Sequence, residues 1–329
     1  MSIAKAVRRA VGKYVDIPRR WNRQDVQAVV ESDKLLLGRM ASWRVRSMDT
    51  LASLQDAEFK VSSQWGEDGI IDWLVERAQI PAGSCSFIEF GVENYEEANT
   101  RFLMQNRNWR GLIMDGSPAM LDATEKAGLR WRYDLTVKPT FITRENINSL
   151  IQEAGFTAEI GLLSVDVDGN DYWIWEAIDA VNPIICICEY NAVFGDVHSI
   201  SVPYDPGFNR TNKHLSNLYF GASIAALRGL GRKKGYHFAG TTSAGNDAFF
   251  VREDYAARFL DTAIRDFNPA PSRVRESKDA SGQLNYLRGL DRLRQIIEMP
   301  VVNTETGETV NIGDLGSVYS SGWAEAMTR

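Results

Sequence analysis

The sequence predicts an α/β fold: a doubly wound, largely parallel sheet with helices on both faces, closed by an antiparallel hairpin. Three observations carry that expectation. Short, continuously apolar runs recur at Ser86–Phe90, Leu112–Met114, Leu129–Tyr133, Gly161–Val165 and Ile184–Cys188, and strands apolar on both faces belong to parallel sheets buried between helices. Between the runs lie the helical stretches Asn94–Asn108, Pro118–Ala127, Arg144–Ala154 and Asn170–Ala180, long enough for the crossovers that parallel neighbours require. Finally, the runs Tyr236–Thr241 and Ala248–Val251 are joined only by the segment Thr242–Asp247. That gap is too short for a crossover helix, so this pair is antiparallel.

The remaining elements follow in order. Residues 1–60 read as a polar helical extension, with Leu35, Leu36, Leu37 and Met40 as its apolar positions and no strand-like alternation. Residues 61–251 hold the sheet. Within them, Asn191–Asn217 is a long loop containing Pro203, Pro206 and Gly207, and Leu218–Lys234 is a helix. Residues 252–329 read as helical additions followed by turns at Asn303–Gly307.

Composition narrows the function classes. The chain has 329 residues, with 44% hydrophobic and 24% charged, close to globular averages, which excludes a disordered, collagenous or coiled-coil chain. No apolar stretch approaches the length of a membrane span, and the opening residues lack an apolar core of secretory length. Three cysteines, Cys85, Cys186 and Cys188, make no disulfide framework, and the expected compartment is the reducing cytosol. Cys186 and Cys188 alternate in an apolar strand without zinc-spaced partners and read as core. The net charge of −6 hides an asymmetry: residues 1–23 carry +6, leaving −12 for the remainder. An acidic body does not suit nucleic acid. The basic head suits peripheral contact with anionic lipid or an acidic partner, or simply a solvated helix. Exposed aromatics and the N-terminal helices point to a homo-oligomer.

Two strand ends carry candidate chemistry. In Phe87-Ile-Glu-Phe-Gly-Val-Glu-Asn94 an apolar strand ends in an acid and a glycine, where open α/β sheets bind ligands. Asp115 ends the next strand 24 residues after Gly91, about where an acid holds a ribose. A dinucleotide-binding G-x-G-x-x-G is absent, as are G-x-S-x-G and the P-loop motif. In Leu162-Leu-Ser-Val-Asp-Val-Asp-Gly-Asn-Asp-Tyr172, Asp166 and Asp168 share a face of an extended segment. The following strand ends in Glu189-Tyr190-Asn191, so Asp166, Glu189 and Asn191 can reach one hard divalent cation. The competing structural reading makes these residues helix caps. His198 and His214 fall in the long loop and are the candidate general bases. Of Tyr172, Trp173 and Trp175, at least one should face the core.

These residues together resemble a known family. Ser63-Gln-Trp-Gly-Glu-Asp68, then FIEFGVENYEEANT, Trp109-Arg-Gly-Leu-Ile-Met-Asp115 and SVDVDG are similar to the FkbM-type group of class I S-adenosylmethionine-dependent methyltransferases. The later YFGASIAAL, KGYHFAG and NDAFFV segments resemble relatives that act on bacterial surface polysaccharides. The resemblance covers residues 60–251. It implies a Rossmann-like sheet of seven strands with the last antiparallel, S-adenosylmethionine as cofactor, and O-methylation of a sugar hydroxyl. It implies cofactor-binding roles for Glu89, Gly91, Glu93 and Asp115, and for Asp134 near the adenine. It further implies magnesium on Asp166, Glu189 and Asn191, with Asp166 or His198 taking the hydroxyl proton. One departure stands out: Tyr95 occupies a position where the family often has a second glycine.

Other chemistries fit the same acids. LLSVDVDGN also resembles the nucleophile strand of haloacid-dehalogenase-type phosphatases, with Asp166 attacking phosphorus and Asp168 as acid–base. Asn170 departs from that pattern, and the helix that follows at once leaves no room for a cap. Asp-Val-Asp also suits a glycosyltransferase's metal-bound nucleotide sugar. A non-catalytic binding subunit on the same fold is the third alternative.

Overall fold

The computed structural model describes residues 23–274 and 276–327, with backbone alone for 23–28. The basic head, on which the expectation of lipid or partner contact rests, lies outside the described residues.

Seven strands form the central sheet: β1 Ser86–Phe90, β2 Arg110–Asp115, β3 Leu135–Pro139, β4 Ala158–Val165, β5 Val181–Glu189, β6 Tyr236–Thr241 and β7 Asp247–Arg252. Their order is β3-β2-β1-β4-β5-β7-β6. β1 to β5 pair in parallel, and β7 runs antiparallel to both neighbours, as the short connection requires. Alternate residues face opposite layers: Ile88, Leu112 and Leu163 enter one core, and Phe87, Ile113 and Leu162 the other. Strands buried on both faces tolerate few polar side chains, which is why the runs were so apolar.

Among the described residues, eight helices of seven residues or more accompany the sheet: α1 Arg23–Arg46, α2 Glu67–Ala78, α3 Arg101–Arg107, α4 Ala119–Lys126, α5 Ile147–Glu153, α6 Asp171–Ala177, α7 Ile224–Lys233 and α8 Glu253–Ala263. Trp73 of α2 meets Phe259 of α8 edge-on, with centroids 6.0 Å apart, over one face. Trp175 of α6 lies 4.8 Å from Phe250 over the other. Tyr172 and Trp175 are therefore core, as are Cys186 and Cys188. α1 leaves Leu36, Leu37, Met40 and Trp43 exposed. Among the described residues no helix is long and apolar enough to cross a membrane.

Four expectations need correction. Leu129–Tyr133 is no strand: Leu129–Arg132 is a helical turn, with Leu129 buried and Trp131 75% exposed. Its alternating apolar and basic residues imitate a half-buried strand, and the third strand begins at Leu135. The expected helix Asn94–Asn108 is confined to α3. Glu93 (φ +46°) and Tyr95 (φ +61°) adopt left-handed backbone, which a right-handed helix excludes. The helix expected from Leu218 starts at Ile224, capped by the Ser223 side chain accepting from Ala226 N–H. Beyond α8 the C-terminal segment is mostly irregular rather than helical. Pro300–Asn303 pairs with Thr309–Asn311 around the expected Asn303–Gly307 turn, and with Ile200–Ser201. From the C-terminal segment, Ser272, Val274, Glu276 and Arg292 reach the carboxyl end of the sheet.

Candidate functional site

The chain order reverses between β1 and β4, and ligands bind outside the carboxyl ends of strands at such a switch point. A cleft of about 910 Å³ opens there. Gly91 ends β1 at φ +72°, and a Cβ added to it would stand 1.5 Å from the Asp166 carbonyl oxygen. The glycine is demanded by the close approach of the β1 and β4 ends.

Carboxylates organise the loop that follows. The Glu89 carboxylate accepts from the backbone N–H groups of Asn99 (2.7 Å) and Thr100 (3.0 Å), and from the Thr100 hydroxyl. Burial pushes its pKa up to about 7 despite these bonds. Asp115 accepts from Ser117 N–H (2.6 Å) on one oxygen and from Glu93 N–H (2.8 Å) on the other. The loop is thereby tied across β1 and β2. Tyr95 holds its left-handed position by burial, by a 2.9 Å hydroxyl contact with Thr100 Oγ1 and by its carbonyl accepting from Arg101 Nη1 (2.8 Å). In the Ser63–Asp68 motif, Asp68 accepts from the N–H groups of Val61, Ser62 and Ser63. Burial raises its pKa to about 6, and the bonds aim Gln64 along the cleft wall.

A second group of acids forms the floor. Asp166, Asp168 and Glu189 bring carboxylate oxygens within 4.8 Å of one another. The turn that carries Asp166 and Asp168 is held by Asp171, which accepts from Val167 N–H (2.7 Å) and Gly169 N–H (3.0 Å), with Asp168 at φ +54°; Glu189 ends β5. Asp247 faces Glu189 across the β5–β7 pair. Glu189 Oε2 and Asp247 Oδ1 are buried without hydrogen-bond partners. Burial, then mutual repulsion, drives the proton affinities of Asp166 and Glu189 well above the carboxylate range. Arg210 supplies counter-charge: Nη1 donates to Asp168 Oδ1 (3.0 Å), Nε to Asn217 O (2.8 Å), and the guanidinium lies 3.8 Å over the Phe220 ring.

Of the residues singled out from sequence, Glu89, Gly91, Glu93, Asp115, Asp166 and Glu189 line this one cleft. Four are placed apart from the cleft or are otherwise engaged. Asp134 precedes β3 at the end opposite the cleft, exposed and 3.7 Å from Arg110; misplacing the third strand carried it to the wrong edge, and Phe141 and Ile142 wall the cleft there instead. Asn191 lines the cleft, but its amide is spent: Oδ1 accepts from Val193 N–H, and Nδ2 donates to Leu218 O and Phe220 O. Asp168 completes the acidic trio in its place. His198 contacts Ser317 O at 3.1 Å and does not line the cleft, and nor does His214, whose Nδ1 contacts Ser216 Oγ. Asp247, Arg210 and Arg292 were missed. Asp247 begins the strand antiparallel to β5, which would have revealed it; the two arginines sit in short helices of four and six residues and carry no local signal.

The sequence matches no protein-family model and no curated protein. Solved structures similar to the chain include the pyocyanin biosynthetic protein PhzM (12% identity, 56% of each chain, TM-score 0.32). A second is an S-adenosylmethionine-dependent methyltransferase from Clostridium acetobutylicum (8% identity, 56% of this chain and 90% of that one, TM-score 0.36). A third is the CurJ carbon methyltransferase (8% identity, 60% and 56%, TM-score 0.38). The match thus spans little more than half of PhzM and of CurJ. The strand order itself defines the fold: a Rossmann-like, seven-stranded α/β sheet with its last strand antiparallel.

Proposed function

We propose that the chain is an S-adenosylmethionine-dependent O-methyltransferase of the FkbM type, acting on a sugar hydroxyl. The observation that carries this reading is Asp115, fixed by two backbone N–H groups at the end of β2 on the wall of the cleft. Each carboxylate oxygen accepts two hydrogen bonds, so each retains a lone pair for a ribose hydroxyl. The rest of the cleft suits the same cofactor. Phe141 and Ile142 offer an apolar wall for adenine. The partnerless Asp247 Oδ1 and the Glu89 carboxylate lie where an ammonium or sulfonium cation would be welcome.

When bound, S-adenosylmethionine supplies an electrophilic methyl group on sulfur. The protein's part is to hold the acceptor hydroxyl in line with it, exclude water and accept the hydroxyl proton. Asp166 is the acceptor of that proton: it lines the cleft at the end of β4, and burial raises its proton affinity above the ordinary carboxylate range. Asp166, Asp168 and Glu189 are the residues that would hold a magnesium ion, which acidifies a bound hydroxyl; the orphaned Glu189 Oε2 fits that role. The phosphatase reading needs room for a cap after the nucleophile strand, and α6 begins at Asp171, directly after the acids.

The test is formation of S-adenosylhomocysteine from S-adenosylmethionine, dependent on added sugar and lost in Asp166→Asn. Turnover that persists in Asp166→Asn would remove the proposed base, and phosphate release from sugar phosphates without methyl donor would favour the phosphatase.

A further inference from the structure

The half of the cleft remote from Asp115 is walled by the loop after β5 and by the C-terminal segment that folds over it. Arg210, Asn217, Phe220, Glu276 and Arg292 all face it. Arg292, in the short helix Leu290–Gln295, is only 8% exposed. Its Nη1 donates to Val274 O at 2.7 Å, and its Nε is buried with no hydrogen-bond partner. Among the described residues no carboxylate lies within ion-pair distance of it. Asp291, beside it in sequence, pairs with Arg294, and Glu276, whose charge reaches it, is engaged by Asn217 Nδ2 at 3.1 Å. Arg210 is committed to Asp168 and Asn217 and adds a second positive charge that Arg292 feels as repulsion.

A buried guanidinium without a counter-ion is costly to the fold. Burial lowers the Arg292 pKa to about 10, against the opposing pull of Tyr319 and Glu276. The cost is removed if a ligand brings the missing negative charge. A guanidinium presents a planar fork of donors that matches the two oxygens of a carboxylate or phosphoryl group. The cleft is thus polarised, with acids beneath the reacting centre and an unpaired cation at the far wall.

We infer that Arg292 is the anion-binding residue of an acceptor subsite, and that the acceptor carries an oxyanion, a carboxylate or a phosphoryl group, beside the hydroxyl to be methylated. The acceptor's role rests on the methyltransferase reading; binding of the anion does not. An uncharged sugar would leave Arg292 as unpaired as it is now.

The experiment is a titration of the full chain, without S-adenosylmethionine, with glucose 1-phosphate, glucuronate and methyl glucoside, followed by calorimetry and by the unfolding midpoint. One or both anions should bind and raise the midpoint, with methyl glucoside inert, and whichever anion binds identifies the oxyanion. In Arg292→Met the anion effect should be lost and the unliganded midpoint should not fall, because a buried unpaired charge has gone. Arg292→Lys, which keeps the charge but not the fork, guards against a folding defect and should bind the anion at least about tenfold more weakly. Binding of the anions by Arg292→Met as by wild type, or no binding of either anion by wild type, overturns the inference. A parallel titration with S-adenosylmethionine separates the two claims. Anion binding without cofactor binding would leave the subsite and remove the methyltransferase reading, and the reverse would do the opposite.

Discussion

Gly91→Ala probes the junction on which the cleft is built. The new Cβ would stand 1.5 Å from the Asp166 carbonyl oxygen, and ordinary contact begins near 3.4 Å. The obstacle is backbone, so no side-chain rotation relieves it, and the ends of β1 and β4 must part by about 2 Å. The residue also sits at φ +72°, where a side chain costs roughly 1–2 kcal/mol. Where the end of β1 is what shifts, its Gly91 N–H to Met114 O bond to β2, worth about 1 kcal/mol, is disturbed as well. The sum is a loss of at least about 2–3 kcal/mol, accompanied by displacement of Asp166 from the acidic trio. Urea unfolding measures the first effect and titration with S-adenosylmethionine the second. Gly83→Ala is the control, since its Cβ would meet nothing within 4 Å and should change stability by no more than about 0.5 kcal/mol. If Gly91→Ala unfolds like wild type and binds cofactor normally, the close approach of β1 and β4 is wrong.

Three further outcomes follow. Glu89 and Asp68 are fully buried, with pKa values raised to about 7 and about 6. The folded protein therefore holds protons that the unfolded chain releases near pH 4. Their stabilisation is complete below that pH and is lost as pH rises through 6 and 7, so the free energy of unfolding should fall by about 3 kcal/mol or more between pH 5 and 8. The lowered carboxylates Glu76, Glu159 and Asp254 act oppositely, but only below about pH 4.5; a flat urea profile from pH 5 to 8 contradicts the assignment. His198→Ala should leave cofactor affinity and turnover within about twofold, and a large loss of turnover would restore the histidine as base. Millimolar magnesium should raise the unfolding midpoint of wild type and not of Glu189→Gln, and equal shifts in both would remove Glu189 as a ligand.

What the sequence reveals of this fold depends on where each residue's partners come from. β1, β4 and β5 are legible because both faces are buried, and that leaves unbroken runs such as Ile184–Cys188. The hairpin follows from a connection too short for anything else. β3 is not legible, because an edge strand is half exposed and Leu-Thr-Val-Lys-Pro is less apolar than the helical turn before it. Acids at strand ends can be read, since Glu89, Asp115, Asp166 and Glu189 each follow an apolar run. The roles of Asn191 and His198 cannot, because they depend on carbonyls 27 and 119 residues away. Arg292 is the extreme case. An arginine in a polar stretch looks solvated, and only the return of the C-terminal segment over the sheet buries it.

The central claim, that this cleft holds S-adenosylmethionine through Asp115, is tested most directly by calorimetric titration of the wild-type protein and of Asp115→Ala, with and without magnesium. The account predicts micromolar binding, about −8 kcal/mol, for wild type and its loss in the variant. Absence of heat in the wild type under either condition, or undiminished binding by Asp115→Ala, would contradict it.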